Sequence, residues 1–185
     1  MYDYTKDMFH LEVPIMKKLL TLFIFVFLLF GCSNTHTVSI TYEPNGGTIL
    51  SMTTSVNSNS PSWYPLIPQK LNFRFVNWYI DQQLTQLYTH TALIDNTTLT
   101  LYAKYIEADQ EDFYIVEFVS MGGTFTPNQL IASGGLLIEP AAPEILGSTF
   151  QYWGYAVSDS NKQGEVNFSE PITEHLVVEA IYLSD

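Results

Sequence analysis

Few side chains in this sequence could do covalent, acid–base or metal chemistry. Its one thiol is Cys32, the single cysteine in 185 residues, so no disulfide can form within the chain. His36, His90 and His175 follow it, far apart and in no spacing that would hold a metal ion. Carboxylates are numerous but scattered through turns and one linker, whereas catalysis needs groups that converge. No residue is therefore assigned a catalytic or metal-binding role, and no cofactor is called for. A second kind of chemistry is stacking. Trp63, Tyr64, Trp78, Tyr79, Trp153 and Tyr155 could each hold a sugar ring if exposed. Trp78 and Trp153 recur in one register beside strand residues, which places them in a core. Trp63 has no matching tryptophan later in the chain, so it and Tyr64 are the candidates for surface contact.

The setting of Cys32 says what its thiol is for. Lys17 and Lys18 precede an apolar run from Leu19 to Phe30 that carries no charge. A dozen residues are too few to span a bilayer as a helix, which takes about 18–20. A positive start, a short apolar stretch and a small residue after it mark a secretory signal. The run ends Leu29-Phe30-Gly31-Cys32, which resembles the bacterial lipoprotein signal, although Phe30 stands where that pattern has a small residue. The resemblance implies cleavage between Gly31 and Cys32 and diacylation of the Cys32 sulfur, which would tie the chain to a membrane on its extracytoplasmic side. Asp3, Asp7 and Glu12 oppose a positive start, so translation is expected to begin at Met16. Residues 1–31 are read as the signal region with its apolar helix, and 32–36 as a tether.

The 154 residues after Gly31 carry sixteen acidic side chains against Lys70, Arg74, Lys104 and Lys162. Such a balance excludes nucleic acid, whose phosphates demand a basic surface, and electrostatic adhesion to anionic lipid. An aromatic share of 15% is too high for a disordered tail. Thr, Val, Ile and Tyr in alternating apolar patterns indicate strands. No long segment has helical periodicity.

These strands fall into an internal repeat. "VSITYEPNGGT" from Val38 matches "YIVEFVSMGGT" from Tyr114, "FRFVNWY" from Phe73 matches "STFQYWGY" from Ser148, and "LTLYAKY" from Leu99 matches "LVVEAIY" from Leu176. The glycine pairs, the tryptophans and the final tyrosines are offset by 76, 75 and 77 residues. Two tandem modules follow, at 37–106 and 113–185, joined by an acidic linker at 107–112. In the first strand Val38, Ile40 and Tyr42 share a face, as do Tyr114, Val116 and Phe118 in the second copy. Leu99, Leu101, Ala103 and Tyr105 do so in the last strand, matched by Leu176, Val178, Ala180 and Tyr182. Gly46-Gly47 and Gly122-Gly123 are tight turns, since a phosphate loop would need a following helix and usually a lysine. Trp78, Trp153, Tyr105 and Tyr182 are expected in the cores. The linker offers little to bury, so the copies are expected to fold independently and move relative to each other.

A strand with NGGT, a proline-rich approach, F-x-x-W-Y and L-T-L-Y-A-K-Y resembles the Listeria–Bacteroides repeat, the internalin-type B-repeat. The resemblance covers nearly the whole chain after the signal. The pattern's glycine before tryptophan is Asn77 here in the first copy and Tyr152 in the second. What it implies is a mainly β, α+β architecture of two small β-grasp-like modules. It further implies a non-catalytic bacterial surface protein, acting as a spacer or as an adhesive element toward another surface protein. The alternative partner is a glycan or cell-wall polymer held by exposed aromatics.

Overall fold

The computed structural model describes residues 35–60, 62–156 and 162–184. The signal region, with Gly31 and Cys32, lies outside them. Among the described residues the chain is mainly β, with two four-stranded sheets and one short helix.

Repeat 1 contains β1 (Thr37–Glu43), β2 (Thr53–Asn57), β3 (Phe73–Tyr79), α1 (His90–Asp95) and β4 (Thr98–Glu107). Its sheet runs β2-β1-β4-β3, with β1 and β4 parallel at the centre and antiparallel edges. Repeat 2 contains β5 (Phe113–Val119), β6 (Gln129–Ala132), β7 (Ser148–Tyr155) and β8 (Leu176–Ser184), in the order β6-β5-β8-β7 with β5 and β8 parallel. This is the β-grasp plan twice over. Parallel neighbours cannot be joined by a hairpin, so the chain between them crosses over one sheet face and covers its apolar side.

Alternation in the central strands sets the core. Val38, Ile40 and Tyr42 are fully buried; Leu99 and Leu101 of β4 lie in register with Ile40 and Tyr42, and Ala103 follows them into the same core. Leu93 of α1 and Tyr88 close over this face. In repeat 2 Val116, Phe118, Leu176, Val178 and Ala180 do the same, closed by Leu137, Val166 and Ile172. No helix forms at the place of α1 in repeat 2, where the chain reads Asn167-Phe168-Ser169-Glu170-Pro171. Pro171 would remove an amide donor and clash with the preceding turn. Ile172, 2% exposed, fills the core from extended backbone.

Each edge strand β3 and β7 carries a bulge at the same place, between Phe75 and Asn77 and between Phe150 and Tyr152. A bulge turns the following side chain and tightens the twist. Asn77 and Tyr152, at the positions where the repeat pattern has glycine, are not among the residues with positive φ, so neither needs glycine's freedom.

The glycine pairs close matched turns. Asn45 and Gly46 have φ of 47° and 82°, Met121 and Gly122 of 49° and 95°. The Gly47 and Gly123 amides donate to the Pro44 and Ser120 carbonyls at 2.8 and 2.9 Å. Two successive left-handed residues inside such a bond make a type I′ turn. A Cβ on Gly47 would strike the Tyr105 hydroxyl, and one on Gly123 the Tyr182 hydroxyl. Those hydroxyls donate at 2.8 Å to the Pro44 and Ser120 carbonyls, so the last strand of each repeat ties down the turn after its first. Methionine is a poor left-handed residue and asparagine a good one. Met121 is half exposed and gives up little packing. Met121→Asn is therefore expected to stabilise the chain by about 1 kcal/mol, raising Tm by a few degrees in a thermal melt. An unchanged or lower Tm would show that the turn carries no strain there.

Candidate functional site

The three histidines stay apart in role. Nε2 of His36 lies 2.7 Å from the Asn96 carbonyl. His90 opens α1, with Nδ1 buried and unpartnered. His175 precedes β8, and its Nδ1 accepts from the Ile115 amide at 3.0 Å. Burial, and then the Arg74 charge nearby, lower the His175 pKa, which favours the neutral ring that can accept at Nδ1. Among the described residues no three His, Cys, Asp or Glu side chains gather where they could share a metal ion.

Trp78 and Trp153 are 2% and 1% exposed. Nε1 of Trp78 donates to the Leu66 carbonyl at 2.8 Å, whereas Nε1 of Trp153 has no partner. Tyr105 and Tyr182 are half-buried and pack against the two cores. Trp63 is half-buried and stands edge-on to Tyr88, with ring centroids 6.2 Å apart. Tyr64 is partly exposed, and its hydroxyl donates to the Gly123 carbonyl at 2.7 Å.

That last bond crosses between the repeats, and it has company. Ser62 donates to the Gly122 carbonyl at 2.7 Å. The Asn77 side-chain amide, 4% exposed, donates to the Asn128 carbonyl at 2.8 Å, and its oxygen accepts the Asn128 amide at 2.9 Å. The Asn128 side chain donates in turn to the Val76 carbonyl at 2.9 Å. An asparagine amide offers a donor and an acceptor side by side, as a peptide group does, so Asn77 pairs with repeat 2 as a strand would. Phe125 of repeat 2 adds an apolar pin, packed on the repeat 1 core against Tyr64 and Tyr88. The linker itself buries little, yet the repeats are docked. The docking groups lie far from the linker in sequence and carry no charge.

Docking leaves a cleft between the repeats. Its wider part, about 880 Å³, is lined by Gln69, Lys70, Phe73 and Arg74 from repeat 1 and by Ile115, Glu117, His175 and Leu176 from repeat 2. An adjoining recess of about 240 Å³ is lined mainly by Tyr64, Phe75, Trp78, Phe118 and Phe125. Ile67, Phe75, Glu117 and Asn128 belong to both. Nζ of Lys70 donates to the Asn45 carbonyl at 3.0 Å and lies over the Phe73 and Tyr105 rings. Nε of Arg74 donates to the Ala108 carbonyl at 3.4 Å. Neither cation has a carboxylate partner among the described residues, where the one ion pair is Lys162 with Glu170 at 3.5 Å. Sequence alone does not show this cleft, because it exists only once the copies dock.

Comparison with known proteins agrees with this architecture. The Listeria-Bacteroides repeat domain matches twice in tandem, at residues 39–104 and 114–180. A protein of Evansella cellulosilytica classed by name as a membrane protein is 31% identical over 120 residues, 65% of this chain and 17% of its own length. A second, classed as a Gly-rich membrane protein of the same organism, is 32% identical over 120 residues, 65% of this chain and 13% of its own. The chain thus spans less than a fifth of the length of either relative. With both copies matched and both sheets built on one plan, the chain belongs to the Listeria-Bacteroides repeat family.

Proposed function

We propose that this protein is a non-catalytic surface lipoprotein, held to the membrane through Cys32, whose two repeats serve as a spacer or adhesive element. The observation that carries this reading is how the repeats use their shared residues. The glycine turns, tryptophans and final tyrosines that recur in both copies are committed to cores and turns, and the matched repeats occupy 39–104 and 114–180. The family resemblance and the membrane-protein names of the relatives support a place at the cell envelope. Net charge of −12 repels the repeats from anionic lipid and wall polymers, so they would stand off the surface. Each buried methylene of an acyl chain adds about 0.8 kcal/mol, and two chains hold where one exchanges.

Cys32→Ala is expected to abolish palmitate incorporation and to leave an uncleaved precursor on a gel. Unchanged labelling in that variant would end the lipoprotein reading. Glycan binding through Trp63 and Tyr64 is the second reading. What favours it is the partial exposure of Tyr64 at the recess. Against it, Tyr64 gives its hydroxyl to Gly123 and Trp63 meets Tyr88 edge-on, so both side chains already serve the fold.

A further inference from the structure

We propose that the cleft between the repeats binds an extended acidic peptide segment of another protein, seated by Lys70 and Arg74. The proposal deepens the adhesive reading above by naming a partner class, and it does not depend on the lipid anchor.

Charge is the first argument. Sixteen carboxylates and four cations follow Gly31, so by chance a surface hollow here would be acidic. This one holds two of the four cations, and neither is neutralised by a carboxylate among the described residues. Glu117 shares the cleft, and His175 is biased to the neutral ring, so among the described lining residues two cations stand against one carboxylate. Screening at physiological salt acts over about 8 Å. Within the cleft the nearby cations therefore outweigh the distant acidic surface. A long polyanion would meet that surface on either side of the cleft and be repelled. A short acidic stretch within an otherwise neutral segment would not.

Shape and surface chemistry argue for peptide over sugar. On the wide part of the cleft the most exposed large side chains are aliphatic, Ile67 at 65% and Leu71 at 86%; Phe73, 38% exposed, has the Lys70 ammonium over its ring. Trp78 and Phe118, on the recess, are buried and present no open ring face. Sugars are held by open aromatic faces, whereas peptide side chains suit aliphatic ledges. Phe73 to Phe75, which line the cleft, belong to β3, the last strand of its sheet. An edge strand offers an extended chain backbone groups to run along. The carboxylates would sit on the Arg74 fork and on the Lys70 ammonium, which has donors to spare beyond its bond to Asn45. The alternate side chains would lie on Ile67 and enter the recess.

The test is fluorescence anisotropy of a labelled decapeptide of alternating glutamate and valine, titrated with the whole chain in mild detergent. The same titration is run with a labelled lysine–valine decapeptide and with a labelled oligogalacturonate. The acidic peptide is expected to saturate and the basic one not to. Arg74→Glu should weaken binding by about ten-fold, and Lys70→Gln should weaken it less. Lys104→Gln, whose ammonium lies over Tyr79 outside the cleft, should leave it unchanged. Lys70→Gln serves alone if Arg74→Glu does not fold. Absence of saturation, equal binding of the basic peptide, or affinity indifferent to both cleft variants would overturn the proposal. Saturation by the labelled oligogalacturonate, weakened by Arg74→Glu, with no saturation by the acidic peptide would overturn the proposal and assign the cleft to an anionic glycan instead. Because the probe is soluble, failure here leaves the palmitate result at Cys32 untouched.

Discussion

Trp78→Ala is expected to unfold repeat 1, and Trp153→Ala repeat 2, each costing about 3–5 kcal/mol. That is a large part of the ~5–15 kcal/mol holding a whole domain. Both indoles are among the most buried side chains in the molecule, and each packs on the aromatic of its first strand. The ring centroids are 5.1 Å apart for Trp78 with Tyr42 and 5.0 Å for Trp153 with Phe118. A milder change separates the two sites. Trp78→Phe forfeits the hydrogen bond to Leu66 and leaves that carbonyl unmet, whereas Trp153→Phe removes a buried donor that has no partner. Trp153→Phe should therefore cost about 1–2 kcal/mol less than Trp78→Phe. Urea melts of the two variants would show it. Equal losses would mean that the indole N–H of Trp78 contributes nothing.

The second large effect is expected at Asn77. Leucine is close to asparagine in size and cannot pair with a backbone. Asn77→Leu leaves the amide and carbonyl of Asn128 without their partners at a site where water has little access. Each such group costs about 1–3 kcal/mol, so docking should weaken by about 2–6 kcal/mol. The side chain lies at the interface and outside both core clusters. The variant should therefore separate the repeats without unfolding either, turning one cooperative urea transition into two. A single transition at the original midpoint would show that the clasp is idle.

What the sequence discloses here is what repeats and alternates. The central strands are legible because each buries one face, so Val38, Ile40 and Tyr42 stand out against Ser39 and Thr41. The tandem family match and the two mainly β sheets bear out that reading. Edge strands β2 and β6 are not legible. β2 reads Thr-Thr-Ser-Val-Asn and buries only Val56, and no residue of β6 is fully buried. With one deep side chain or none, a strand has no period to detect. The docking residues are silent for a different reason. Asn77 breaks the repeat pattern at the glycine position, and nothing local distinguishes an asparagine serving a turn from one that pairs with another repeat. Asn128 and Phe125 look like ordinary loop residues. Their meaning lies in contacts about fifty residues away along the chain, a distance no window of sequence spans. The cleft inherits that silence. Lys70 and Arg74 face Ile115 and His175 only after docking.

Docking is thus the central claim, since the cleft, the placing of Lys70 and Arg74 in it and its proposed ligand all depend on it. Residual dipolar couplings of backbone amides, collected for both sheets in one weakly aligned sample, test it most directly. If Asn77, Asn128 and Phe125 hold the repeats as one body, a single alignment tensor fits the amides of β1 to β8 together, and Asn77→Leu splits it into two of different magnitude. Two unequal tensors in the unaltered protein would contradict the account.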